Sequence, residues 1–574
     1  MKLICFPSRA GAAVWFTTLL VLLAGPAGAV GPDLLSADKI FLHGGVITMD
    51  AQKDVAEAVA VRAGKILLAG TETEVKKLAG PKTQIIDLHG GVLLPGFYAA
   101  HDHFPSVGME ELYDVNLNSP PMGKIRNIPD IIAALRVKAA QTPAGQWIEG
   151  DEYDDTLLAE KRHPTRYDLD QVSTNHPIWI VHTSGHLAVA NSLALQLAGI
   201  TRDTPQPAGG VIRKDPVTGE PTGVIEERLG LISVHIPAET TEQHLKAIQV
   251  CDREYLSQGV TTTVIAGTSA SVVRDLVEAL SASLLHLRIH VMLVGGPSVP
   301  DTVAEAKRLS PDPDRINLGT VKLFQDGSLQ GYTGFLTEPY YRQRPGHTND
   351  CGYARRSRAA LVDLVKKYHR AGYQVAIHGN GDAAIDDILA AYAAAQQDLP
   401  NPDSRDRIEH SQTARPDQLL RMKQLGVTPS FFVAHVYYWG DRHRDIFLGP
   451  ERAAHISPLA TALADGLHFT LHNDTPVTPV NPLQLVWSAV NRVTTSGQVL
   501  GPDERIGAYD ALRAVTADAA WQNFEEAKKG TIEPGKFADF VVLAENPLTV
   551  PPMHIKDIKI VETIVGGDIV YQAN

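Results

Sequence analysis

Eight short apolar segments, separated by stretches of helical periodicity, constrain this chain more than any other feature. They run 92–103, 260–265, 287–294, 320–324, 374–378, 405–410, 427–431 and 468–474. Around the fifth segment the separators are plain. Leu361, Leu364, Val365 and Tyr368 repeat at helical spacing before Gly372, and Ile385, Ile388, Leu389 and Tyr392 repeat the stripe after it. Such alternation predicts parallel strands joined by helical crossovers. Eight of them fit a closed (β/α)8 TIM-like barrel, an α/β fold whose chemistry sits at the C-terminal strand ends. His101, His103, Lys322, His378, His410 and Asp474 all fall at or near those ends.

The first segment carries two imidazoles one residue apart. On a strand, residues i and i+2 share a face, so His101 and His103 can converge on one metal ion while Asp102 turns the other way. A bare His-x-His is a weak signal. Its place at the polar end of an apolar strand, with further ligand-type side chains at later strand ends, is what raises it.

Both ends of the chain read differently from the middle. Residues 36–90 show short strand patterns with a Gly44-Gly45 turn, and 529–574 repeat that character with a Gly566-Gly567 turn. Neither piece is large enough for a good core alone, so the two are expected to build one composite β-sandwich. The barrel then occupies 91–528, with residues 104–258 a large insertion after its first strand. That insertion shows helical stretches at 129–140 and 241–258 and a strand at 177–182. It is placed to roof the site, with Trp147, Tyr153, His182 and His186 as candidates to face a substrate or simply to pack.

The start of the chain reads as a leader. Lys2 and Arg9 precede an uncharged, mostly apolar stretch at 11–25, and Ala27-Gly28-Ala29 gives the small-x-small cleavage pattern. A signal peptide over 1–29 implies an exported, periplasmic or secreted, mature protein. The stretch is shorter than the ~20 residues that span a bilayer, so no stable membrane insertion is expected after cleavage; an uncleaved anchor is the alternative. Cleavage would take the formal charge from −13 to −15. With that balance and no Lys/Arg-rich cluster, neither nucleic acid nor an anionic membrane is an expected partner, and a small-molecule substrate is. Losing Cys5 leaves Cys251 and Cys351, too few for a disulfide framework. A single pairing stays open, as does a homo-oligomer.

Several stretches carry a resemblance. Pro95-Gly96-Phe97 before His101-x-His103, the Lys322 strand, His378, His410 and Asp474 resemble the amidohydrolase superfamily of metal-dependent hydrolases over most of the chain after the leader. More narrowly, 147–150, Ser184-Gly185-His186 with Asn191-Ser192, 322–328, 407–412 and 529–539 resemble the amidohydrolase 3 family, which includes N-substituted formamide deformylases. There is one departure: His472-Asn473-Asp474 stands where relatives commonly have Gly-Ser-Asp, with bulkier neighbours around the aspartate.

The resemblance implies a site. His101 and His103 would bind one divalent metal, zinc by preference, and His378 and His410 a second. Lys322, carboxylated by carbon dioxide, would bridge them; a buried lysine can lower its pKa enough to react. If Lys322 instead pairs with a carboxylate such as Asp326, a one-ion site follows. Asp474 is the expected catalytic base and a further ligand, its alternative being a turn aspartate before Thr475-Pro476. The candidate substrate contacts are His186, Gln325, Asp326, Phe431, His435 and Trp439, with Phe324, Tyr332, Phe432 and Tyr437 as other pocket aromatics or core. The implied reaction is hydrolysis of a non-peptide C–N bond, an amide or formamide, by metal-activated water. A cyclic amide or imide hydrolase or a ring deaminase is the alternative within the superfamily, and an exported binding protein without catalysis the alternative outside it.

Overall fold

Eight parallel strands form the central sheet in strict sequence order. They are β1 (Phe97–Asp102), β2 (Val260–Thr268), β3 (Arg288–Val294), β4 (Ile316–Phe324), β5 (Gln374–Gly379), β6 (Arg407–His410), β7 (Thr428–Phe431) and β8 (Thr470–Leu471). The computed structural model describes residues 36–52, 55–344 and 346–573; the leader expected at 1–29, with Cys5, lies outside them. The barrel strands are largely buried on both faces and rich in β-branched residues, as a sheet wrapped by helices requires. Where β8 meets β1 the backbone completes the circle: His103 N–H donates to Thr475 O (2.7 Å) and Asp474 N–H to His101 O (3.2 Å). The Asp102 carboxylate adds a third tie by accepting Thr475 N–H at 2.8 Å.

The first apolar segment is not one strand. It divides at Gly96 between two sheets. Val92–Pro95 pairs antiparallel with Phe540–Leu543 and parallel with Gly45–Ile47, whereas β1 pairs with β2. A Cβ on Gly96 would lie 2.2 Å from the Thr261 side chain, which is itself buried. Gly96→Ala is therefore expected to destabilise by ~1–3 kcal/mol through overpacking, and Thr261→Ala in the same chain to recover only part of it, because the Thr261 Cβ that it keeps lies 2.7 Å from the added methyl, both read from urea unfolding.

The two ends of the chain share their sheets. Asp568–Gln572, Ile560–Val565, Phe540–Leu543, Val92–Pro95, Gly45–Ile47 and Val55–Ala56 form one six-stranded sheet in that order; Lys65–Gly70, Ala58–Arg62, Ala37–Leu42 and Ala79–Asp87 form a four-stranded one. Phe41, Val46, Val59 and Leu93 from one end pack with Ile532, Phe540 and Ile564 from the other, and the Phe41 and Phe540 rings meet edge to face at 5.6 Å. Arg288 joins this unit to the barrel, with its guanidinium 2.6 and 3.1 Å from the Asp539 carboxylate and 3.8 Å above the Phe537 ring.

The insertion holds more strand than its sequence suggests. Besides Ile178–His182, it contains Val115–Asn116, Ile148–Tyr153, Leu187–Ala190, Val211–Lys214 and Pro221–Glu226, all in one six-stranded sheet. Thr241–Ser257, counted with the insertion in sequence, packs on β2 and on the next barrel helix, Ala270–Ser281. Cys251 and Cys351 are both free. No helix among the described residues is long and apolar enough to cross a membrane.

Candidate metal centre

The C-terminal ends of β1, β4, β5 and β6 and the turn after β8 bring the six ligand-type residues to one place. His101, His103 and Asp474 hold one ligand atom each within 4.8 Å of one another. Asp474 Oδ1 lies 3.4 Å from His101 Nε2 and 3.2 Å from His103 Nε2, buried and with no hydrogen-bond partner of its own. Lys322 Nζ stands 3.1 Å from His101 Nε2. The His101 and His410 rings are 5.0 Å apart and those of His410 and His378 4.5 Å.

Two of the four histidines have one nitrogen engaged by neighbouring polar groups. His101 Nδ1 meets the Glu409 carboxylate in a short contact, so its proton sits there and Nε2 is the open nitrogen. His378 Nε2 is engaged by Gly327 O and by the Asn380 amide nitrogen, each 3.1 Å away, and Nδ1 is the nitrogen without such a contact. An imidazole whose second nitrogen is fixed by a carboxylate or carbonyl is the usual environment of a metal-ligating histidine. With the unpartnered Asp474 oxygen, this donor set fits a divalent cation of the nitrogen- and oxygen-binding kind.

The electrostatics follow from burial. Lys322 is pushed down to about 8 by burial, against the pull of Glu409 and Asp474. Burial holds His378 and His410 well below the ordinary imidazole value, with His186 and His378 respectively adding to it, so both rings are neutral and able to ligate. Burial alone would raise Asp474; His410, His101 and His103 hold its carboxyl well below the usual range.

Strand alternation does not survive at the end of β6. Glu409 and His410 are neighbours, yet Glu409 reaches His101 and His410 faces Asp474, 3.8 Å from Nδ1 to Oδ2. His410 and Ser411 have φ of 70° and 44°, so the chain leaves the pleat there and turns the His410 ring back inward. Asp474, at φ 58°, is left-handed too. Such conformations persist where the surroundings over-determine them, and they cluster at functional sites.

A model described as the amidohydrolase family matches residues 84–571. The chain belongs to that family. An N-substituted formamide deformylase of Arthrobacter pascens is 30% identical over 549 residues, covering 93% of this chain and 98% of that protein. Protein LONG AFTER FAR-RED 3 of Arabidopsis thaliana is also 30% identical, over 97% of this chain and 94% of its own. Among solved structures, an uncharacterized metal-dependent hydrolase from Pyrococcus horikoshii superposes with a TM-score of 0.70 at 26% identity, over 90% of this chain and 99% of that one. The protein is thus a metal-dependent hydrolase acting on C–N bonds, built on the amidohydrolase barrel.

The candidate substrate contacts separate into two groups. His186 comes down from the insertion onto the site: its ring is 4.7 Å from that of His378, and its Nδ1 is 2.9 Å from Glu227 Oε2. His435 packs 4.0 Å from Phe432 and 5.5 Å from Trp439, with Nδ1 buried and unpartnered; burial pushes it down to about 3. Trp439 donates from Nε1 to Asp154 across the seam with the insertion (3.2 Å). The others are engaged by the protein itself, Asp326 with its Oδ1 3.6 Å from His378 Nε2. Gln325 donates to Asp387 (2.8 Å) and to Arg356 O (3.1 Å). Asp326 accepts the backbone N–H groups of Phe335, Asn380 and Gly381, a loop-organising role. Phe431 packs on Phe469 in the core, because Ser430 is the β7 residue that faces the His472 ring; Phe432, just past the strand, lies 6.1 Å from His410 and 5.3 Å from His472.

Three functional neighbours escape a sequence reading. Glu409 orients His101, Arg407 holds Glu409 (2.7 and 3.0 Å), and His472 stands 3.1 Å from His410. A second trio, Asp154, Asp155 and His182, also gathers within 4.8 Å. Ser184 N–H donates to His182 Nδ1 at 3.2 Å, so the ring proton is on Nε2 facing Asp155 at 3.1 Å, and Arg442 covers Asp154. That arrangement is a hydrogen-bonded hub fastening the insertion to the barrel.

Proposed function

We propose that this amidohydrolase cleaves a non-peptide amide, with an N-substituted formamide as its substrate class. What carries the reading is the convergence of His101, His103, His378, His410, Lys322 and Asp474 on one barrel mouth; the formamide deformylase relative supplies the choice of amide. His101 and His103 would hold one ion and His378 and His410 a second, zinc by the chemistry of the donors. Lys322 would bridge them as a carbamate, its neutral amine adding to carbon dioxide with loss of one proton to water; a value near 8 leaves part of it neutral at physiological pH. A divalent ion there supplies a Lewis acid and brings the pKa of water from ~15.7 toward ~7. Asp474 takes the proton of the attacking water and returns it to the departing nitrogen. His186, with Nδ1 committed to Glu227, keeps Nε2 for the substrate carbonyl.

Metal content per chain, measured on the wild type and on Lys322→Ala, tests this together with turnover of formamides, cyclic imides and aminated rings. About two ions falling sharply in the variant, with formamide turnover, is the expected result. One ion untouched by the variant would remove the bridge. A metal-free chain would remove the reading, and turnover confined to imides or rings would replace the substrate class.

A further inference from the structure

His472, the residue that departs from the family pattern, has a hydrogen-bonding state that can be deduced from the groups behind it. Gln522 Nε2 lies 3.2 Å from Pro429 O and 3.0 Å from Thr428 Oγ1. A carbonyl only accepts, so the amide nitrogen is on that side and Gln522 Oε1 faces Thr470 Oγ1 at 3.0 Å. Thr470 has one hydroxyl proton and Oε1 can only accept, so the proton is directed there. Thr470 Oγ1 is also 2.8 Å from Ser430 Oγ, and with its own proton committed it must accept the proton of Ser430. Ser430 in turn can only accept from His472 Nδ1, 2.8 Å away. His472 is therefore protonated on Nδ1, and its Nε2 lone pair faces His410 Nδ1 at 3.1 Å. His410 must be the donor in that pair.

We propose that His472 is a positioning residue that fixes His410 as the Nδ1–H tautomer, leaving Nε2 as its ligating nitrogen, and that Gln522, Thr470 and Ser430 set the proton direction. This rests on the metal-centre reading above. His410 then matches His101, for which Glu409 does the same. All the relay members, Gln522, Thr470, Ser430 and His472, are buried, so water does not compete for these bonds. A Gly-Ser-Asp sequence offers no imidazole at this position.

Two variants and one spectrum test it. His472→Leu keeps bulk and removes the acceptor; His472→Gln restores an amide oxygen for His410 Nδ1–H. Loss of such an outer partner lowers metal affinity ~10–100-fold, so zinc titration should show one ion weakened by that factor in the leucine variant and largely recovered in the glutamine variant. A nitrogen-15 spectrum of histidine-labelled wild type, with or without metal, should place the His410 proton on Nδ1 and the His472 proton on Nδ1. Unchanged affinity in His472→Leu, equal weakening in both variants, or a His410 proton on Nε2 would overturn the relay. If the wild type takes up no ion, the metal-centre reading fails with it, while the spectrum still decides the tautomer. That spectrum also decides the case if the leucine variant does not fold.

Discussion

Asp474→Asn lowers kcat by ~10²–10⁴-fold on any amide the enzyme turns over, with the fold intact. Asparagine matches aspartate in size and tolerates the left-handed backbone found there, φ 58°, so the change adds no strain. It keeps a side-chain oxygen in the place of the unpartnered Oδ1, and it keeps the backbone bonds that join β8 to β1. What it removes is the capacity to accept a proton. The measurement is steady-state kinetics with metal content and thermal unfolding on the same preparation. A kcat within tenfold of wild type, at equal metal content, would take the proton-transfer role away from Asp474 and leave it a ligand only.

The barrel was legible because its strands are buried runs punctuated by helical stripes, and the strand-end residues Lys322, His378 and Asp474 could be placed by counting. What stayed hidden depends on partners far away in the chain. Val92–Pro95 and β1 read as one apolar run, since both halves are buried; only the pairing with Phe540–Leu543 separates them. Ile148–Tyr153 carries Glu149, Asp151 and Glu152, so it lacks an apolar alternation although it lies within a sheet. Near the site, one residue of difference decides function: Ser430 faces the barrel interior, Phe431 the core and Phe432 the histidines. A period of two puts Ser430 and Phe432 on one face and Phe431 on the other, but all three are buried, so burial does not announce which face looks into the barrel. Likewise, alternation at Glu409 and His410 asks that one point away, and the left-handed turn at His410 that lets both point in has no glycine to announce it. His472 was visible as a bulky neighbour of Asp474. Its meaning was not, because Ser430 and Gln522 come from other elements.

Arg407→Met should destabilise the protein by ~3–5 kcal/mol, the cost of leaving a buried charge without its partner. Arg407 and Glu409 sit two apart on β6, share a face and are both fully buried. The guanidinium grips the carboxylate with Nε and Nη2, and it also donates to Asn523 Oδ1 (3.0 Å) and Ala100 O (2.9 Å). Burial pushes the Glu409 carboxyl up, but Arg407 and then His101 hold it well below the ordinary carboxylate value. A depressed value in the folded state contributes stability above the unfolded carboxyl value of ~4.3 and loses it as pH falls toward the folded one. In the methionine variant Glu409 loses its guanidinium partner, its value rises, and protonation relieves it. The gap between variant and wild type, read from the first urea transition, should therefore be widest near neutral pH and narrow below ~4.3. The double variant Arg407→Met/Glu409→Leu separates stability from chemistry: exchanging a whole buried pair for apolar groups is often close to neutral, so most of the stability should return. His101 Nδ1 would still lack its carboxylate, and metal affinity should stay lowered by ~10–100-fold. If metal binding returned along with stability, Glu409 would be a partner for Arg407 alone, and His101 would need no help in presenting Nε2.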